Sequence, residues 1–331
     1  PSSLLFLAAL LIFGCTTQKE DQATIFNKIN QEALANSKAY ETLEEATKTI
    51  GHRLTGSEEG AKAEEYTYNL LKSYGLNVAY QPFEVESWSR GDIDVKIGSR
   101  NNMIDVPAVT LAHSPVEAEV TGEIIDMGNG LEADYAAKPG AVKGKIALVY
   151  IGLLPGSPEG TQNLHRSEKT ALAIQNGAKG IIIINQVDGG VLLTGTASVT
   201  GSLISIPAVC IGKEDGLALK ETLAKTKQYS SIRMTNQSGL INARNVIATI
   251  EGSELPEEKI IVGGHLDSWD LATGAIDNGI GSFAILDMAR TFAALDLKPK
   301  RTVQFVMFMG EEEGLLGSRY MVDEAVKNGT I

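Results

Sequence analysis

Between residues 259 and 317 the chain reads KIIVGGHLDSWDLATGAIDNGIGSFAILDMARTFAALDLKPKRTVQFVMFMGEEEGLLG. One imidazole and five carboxylates in that stretch fall at points where a fold presents side chains to a ligand: His265 and Asp267, then Asp277, then Glu311, Glu312 and Glu313. An imidazole with carboxylates suits zinc, and a carboxylate bridges two ions when each of its oxygens holds one. Asp277 is the candidate bridge, with His265 and Glu312 as further metal ligands. Adjacent acids after a strand point to different sides, so Glu312 is assigned to metal and Glu311 to a water molecule as general base. Asp267, two residues beyond His265, points the same way in extended chain and is placed to orient the imidazole. Glu313 is expected to be solvated.

Positioning these groups requires a strand, a helix and a second strand. Residues 260–262 and 303–309 are apolar runs too short for helices and rich in residues that suit a pleated surface, so both are read as buried strands. Residues 279–295 carry Phe283, Leu286, Ala289 and Ala293 at helical spacing, with Asn278 as the expected cap. The strand–helix–strand unit that results belongs in a parallel sheet, with the acidic groups at the carboxyl ends of its strands, where ligands usually bind.

HLDSWD, GAIDNGIG and GEEEGLLGS, in that order around that helix, resemble the co-catalytic zinc metallopeptidases of family 28 and, within it, the carboxypeptidase Q branch. The resemblance implies His265, Asp277 and Glu312 as zinc ligands, Glu311 as catalytic base, Asp267 as orienting residue, and two zinc ions. The family's remaining ligands, an acid and a histidine, follow the acidic pair. The expectation is therefore that they lie beyond Ile331, and that this polypeptide alone binds zinc weakly and is inactive. Implied is a zinc-dependent exopeptidase or dipeptidase for small peptides. A one-zinc glutaminyl cyclase and a non-catalytic receptor-like binding protein are the two alternatives, and the presence of all four metal and base residues disfavours the second.

The fold class expected is α/β: a mostly parallel mixed sheet flanked by helices, the zinc exopeptidase fold without its C-terminal part, carrying an inserted β-rich module. From residue 111 to 235 short β-rich runs alternate with glycine turns, and KGKIALV, NGAKGIIIIN and IPAVCIGKEDGLAL resemble the protease-associated domain. Its implied role is to cover part of the cleft and restrict substrate size. His113 and His165 lie near or within it and compete poorly as ligands. Residues 25–110 and 236–331 are assigned to the peptidase domain. Residues 25–50 read as one helix, and Ser57 caps a second that runs to Gly75. Next comes a strand over 78–85. His52 and Arg53, in the turn before Ser57, are expected to make structural hydrogen bonds.

At the N-terminus, residues 4–13 (LLFLAALLIF) are too short to span a bilayer as a helix and suit the core of a secretory signal. The run ends at Cys15 in a pattern that resembles the bacterial lipobox. Residues 1–15 are accordingly read as a lipoprotein signal with Cys15 lipidated, and 16–24 as a polar tether. The expected location is the cell envelope, outer-membrane or periplasm-facing, with a lipid anchor as membrane partner. The branch resemblance adds a homodimer. Cys210, the only other cysteine, lies in an apolar run and reads as a core residue. A formal net charge of −12 with scattered basic residues disfavours nucleic acid. The glycine-rich segment 189–201 lacks GK[ST] and a following helix, which excludes a phosphate loop, and no GxSxG elbow is present.

Overall fold

The computed structural model describes residues 21–330. Cys15, the signal-like run and most of the tether lie outside them. Three helices open the described chain: α1 (Gln22–Asn36), α2 (Ala39–Thr49) and α3 (Glu58–Ser73). The single helix expected over 25–50 is thus two. The break falls at Ser37, where the backbone turns extended, and Lys38 N–H donates to Asp287 instead of to a helical carbonyl. Ser57 caps α3 as expected, its hydroxyl accepting from Gly60 N–H at 2.9 Å.

The strands and helices that follow are β1 (Asn77–Ser99), β2 (Asn102–Asp105), β3 (Ala108–Thr110), β4 (Glu117–Asp126), α4 (Glu132–Ala137), β5 (Ile146–Tyr150), α5 (Arg166–Gln175), β6 (Gly180–Ile184), β7 (Ala208–Ile211), α6 (Lys213–Leu223), β8 (Tyr229–Ile250), β9 (Leu255–His265), α7 (Ile280–Ala294), β10 (Arg301–Phe308) and α8 (Leu316–Lys327). The sheet is mixed, and two unusually long strands organise it. β1 and β8 pair antiparallel from Asn77↔Thr249 to Gly98↔Tyr229, with a bulge between Arg90 and Ile93. At one end of this ladder β8 continues antiparallel to β10, and β10 pairs parallel with β9. At the other end β8 pairs with β4, from which β5, β6 and β7 run on in parallel. Each end therefore carries its own sheet, and the ladder is common to both.

Packing follows these two ends. Leu71, Phe83, Val246, Phe283, Leu286, Phe305 and Met307 form one core, between α3, α7 and the β1–β8–β10 surface. Around β4 to β7, successive residues alternate between two further cores: Ala147, Val149, Ile181, Ile183 and Cys210 on one face, Leu148, Ile182, Ile184 and Val209 on the other. Strands buried on both faces are nearly continuous apolar runs, which is why GIIII and IALVY carry no polar alternation. Cys210 is one of these core residues. β9 departs from the expected buried strand: among the described residues it pairs only with β10, and Ile260 and Ile261 are 47% and 50% exposed.

His113, at φ 66°, is fully buried, with Nδ1 2.8 Å from Thr196 Oγ1. Burial lowers its pKa from 6.5 to about 4. The unfolded chain then binds the extra proton between those two values. Stability is unaffected above pH 6.5 and falls as the pH drops through the window, by a total of about 3 kcal/mol. The difference in stability between the wild type and His113→Asn, measured by denaturant unfolding at pH 7, 5 and 4, should show this slope. Asparagine tolerates the left-handed backbone, and the variant should lack the slope.

Candidate active site

β9 and β10 run side by side, and their register sets Phe308 opposite His265, so both strands deliver their polar successors to one edge of the sheet. The chain leaving β9 must return to the start of α7, and Arg53 shapes that return. Its buried guanidinium donates to the carbonyl oxygens of Leu266, Thr273 and Gly274, the last two at 2.8 Å. Main-chain and side-chain hydrogen bonds between Arg53 and Ser268 hold the middle of the loop. Gly274 sits at φ 62°, and a Cβ there would strike Ser268 and the Arg53 guanidinium, so glycine is required. Asp277 follows within a wide turn (Ala275–Gly279) that enters α7. Asn278 does not cap this helix: Gly279 occupies the cap position in helical conformation and no side chain closes the end.

The expected site residues converge. One ligand atom from each of His265, Asp277 and Glu312 lies within 4.8 Å of the others. His265 Nε2 is 3.2 Å from Asp277 Oδ1 and 3.9 Å from Glu311 Oε2. Its other nitrogen, Nδ1, is 3.1 Å from the Asp267 carbonyl oxygen and 3.5 Å from Asp267 Oδ1. An N–H on Nδ1 thus points at Asp267 and leaves the Nε2 lone pair facing the acids. Asp267, completely buried, also accepts from Glu312 N–H at 3.1 Å, and so ties the end of β9 to the end of β10. Asp277 is 77% exposed, on the outer side of the cluster. Glu313 corrects its expectation. It is 1% exposed and neither carboxyl oxygen has a hydrogen-bond partner among the described residues, so it lies in the interior instead of in solvent.

Crowded carboxyl groups oppose one another's ionisation here. Burial, reinforced by Asp267 and Asp277, pushes Glu312 up to about 8. Glu311 is raised by burial and by the same two acids, and burial raises Glu313 well above the usual carboxyl range. Burial works against a charged His265, but hydrogen bonding to Asp267 and the neighbouring carboxylates outweigh it and lift the imidazole to about 9. A divalent cation reverses this balance by favouring the carboxylates and the neutral imidazole. The donor set of one imidazole and two carboxylates, with Asp267 Oδ1 buried and free to orient the ring, fits zinc.

A cavity of about 460 Å³ opens beside Glu311 and Glu312. Its far wall belongs to the β-rich module: His165, Arg166 and Ser167 at the start of α5, and Thr196, Ser198 and Val199 of the loop after β6. The Arg166 guanidinium lies against Gly195, where a Cβ would overlap it, and its Nε has no partner. His165 caps α5, its Nδ1 accepting from Ser167 N–H. His113 is buried behind this wall, with Nδ1 on the hydroxyl of Thr196, and is not among the lining residues. Arg53 makes the structural hydrogen bonds expected of it, but sequence reasoning did not identify their partners and missed the contributions of Arg90 and Arg166. Arg53 and its carbonyl partners are more than 200 residues apart, and no local pattern marks such a contact.

Two family models match the chain: "Peptidase family M28" over residues 245–330 and "PA domain" over 120–219. Carboxypeptidase Q of Xenopus laevis is 30% identical over 305 residues, 89% of this chain and 63% of that protein. The aminopeptidase from Aneurinibacillus sp. strain AM-1 superposes with a TM-score of 0.68 at 30% identity, over 90% of this chain and 68% of its own. A zinc aminopeptidase from Bacillus subtilis gives a TM-score of 0.64 at 26% identity, over 86% and 64%. The chain spans about three-fifths of the length of the curated relatives it matches.

Proposed function

Because the chain belongs to peptidase family M28 and carries its protease-associated module, we propose that the protein is a zinc-dependent exopeptidase or dipeptidase for small peptides. The observation that carries this reading is the convergence of His265, Asp277 and Glu312 within 4.8 Å, with Glu311 beside them but outside the ligand set. His265, Asp277 and Glu312 would hold the metal, Asp277 as the bridge between two ions. Bound zinc supplies an electrophile for the peptide carbonyl and lowers the pKa of an attacking water. Glu311 takes the water's proton as its oxygen bonds to the carbonyl carbon, then passes that proton to the amine as the C–N bond breaks. Asp267 holds the His265 ring and, through Glu312 N–H, the backbone of the acidic pair. The module wall across the cavity limits how much peptide fits beside Glu311.

The relatives' names support peptide hydrolysis from both directions, one a carboxypeptidase and others aminopeptidases. Unblocked and terminally blocked dipeptides, assayed on the full-length protein with and without a zinc chelator, test the proposal; the 331-residue polypeptide alone is expected to be inactive. Cleavage of unblocked dipeptides that the chelator abolishes and zinc restores is the expected result, and the blocked set shows which terminus is read. A zinc-loaded protein that cleaves none of them would refute it. The reading extends to export and anchoring by a lipid on Cys15.

A further inference from the structure

Arg90 stands where the two sheets meet, at the bulge that interrupts the β1–β8 ladder. The bulge is a pivot: Gly91 passes so close to the Thr235 carbonyl oxygen that no side chain fits, and the ladder resumes only at Ile93. From this point one guanidinium reaches three separate segments. Nε and Nη2 donate to the two carboxylate oxygens of Asp270, both at 2.9 Å. Nη2 also donates to Thr194 Oγ1 at 2.6 Å, and Nη1 to the Thr110 carbonyl oxygen. Beneath it lies the Trp88 ring, 5.1 Å away, itself buried and donating from Nε1 to the Ser114 carbonyl oxygen. Both charged partners are largely shielded, 11% and 15% exposed.

What those segments do gives the contact its meaning. Asp270 is three residues past Asp267, in the loop that runs from the His265 strand to Asp277. Thr194 is two residues before Thr196, which lines the module's wall of the cavity, and it adjoins Gly195, against which Arg166 is packed. One side chain therefore spans from the floor of the cleft to its roof. We infer that Arg90 and Asp270 form a latch that fixes the inserted module's wall over the cleft, making Arg90 a positioning residue that sets how short peptides are held and how long a peptide is admitted.

This inference takes its substrates from the peptidase reading, but the latch is a physical contact that is measured without turnover. A planar fork of donors on three partners is a geometry lysine does not reproduce, so Arg90→Lys should behave as Arg90→Ala does. In the full chain, Arg90→Ala and Asp270→Ala should each speed amide hydrogen exchange in residues 191–198 and 266–274 by about tenfold or more, and the double variant should do no more than either alone. Exchange in α3 and in the β5–β7 core should stay as it was. For an unblocked dipeptide KM should rise about tenfold while kcat changes less than about threefold, and cleavage of tetrapeptides relative to dipeptides should increase. Asp270→Asn serves if the alanine variants fold poorly, with the same pattern expected at smaller size. The latch is overturned if faster exchange is confined to residues 77–99, if the two single effects multiply in the double variant, or if KM and length preference do not move. Absence of peptidase activity in the unaltered full-length protein, with the exchange pattern as expected, would sink the peptidase reading and leave the latch standing.

Discussion

Exchanging Glu311 for glutamine is expected to lower kcat by about 10²- to 10⁴-fold while zinc content and fold remain as they were, the size of effect a positioned general base supplies. The argument is geometric first. Three atoms gather for a metal, and none is from Glu311. Its carboxylate instead stops 3.9 Å from His265 Nε2 and lines the cavity that the proposed reading gives to the peptide. Glutamine keeps the shape and can accept a hydrogen bond, but it cannot take a proton from water. Glu312→Gln is the control: it should lose zinc as well as rate, because Glu312 belongs to the ligand set. Zinc content measured beside kcat for the two variants separates the roles. Equal zinc loss in both would mean that the neighbours share the metal and that the assignment of the base is wrong.

The second large effect is expected at a residue that touches no substrate. Arg53→Ala should destabilise the protein by about 3–5 kcal/mol, the cost usual for removing one partner from a buried charged network. Three carbonyl oxygens, of Leu266, Thr273 and Gly274, lose a donor that is itself fully buried, and a large side-chain volume is left empty. The removed cation also faced Asp267 and Glu312, which are left with less compensation. Zinc affinity should fall in parallel, since these carbonyls set the distance between His265 and Asp277. Arg53→Lys should recover only part of either loss, because an ammonium is a point donor and the carbonyls are spread around a fork. Urea unfolding and a zinc titration measure the two losses. A variant with wild-type stability that still loses zinc would mean that Arg53 acts on the ligands by charge and not through the loop.

Much of this site was legible in the sequence because its parts are local. His265 and Asp267 share a strand end, Asp277 precedes a helix with a clear apolar face, and Glu311 and Glu312 directly follow an apolar strand. Such placements depend on periodicity and on which end of a strand a residue occupies. Glu313 went wrong because burial of a turn residue depends on what lies beneath it, and a run of three acids carries no sign of that. Asn278 matched the residue preference of a cap, but a wider turn closes ahead of α7 and the cap position falls to Gly279. The division of residues 25–50 into α1 and α2 turns on a contact from Lys38 to Asp287, nearly 250 positions away. Arg53 was expected to make structural hydrogen bonds and does, but which carbonyls it holds, like the whole role of Arg90, was hidden for the same reason. Arginines that staple loops across the fold have no neighbours in sequence that identify them.

The long pairing of β1 with β8, on either side of its bulge, makes the arm that carries the inserted module a ruler. Its rungs are spaced by about 3.4 Å, and side chains alternate between faces, so its length changes only in coarse steps. Taking one residue from each strand would turn the module's inner face outward. Taking two from each would keep every face and lower the roof of the cleft by about 7 Å, more than the reach of a single peptide unit. On the proposed peptidase reading, the number of rungs between β9–β10 and the bulge would then be a setting for substrate length, held in backbone spacing and independent of every residue that lines the cavity.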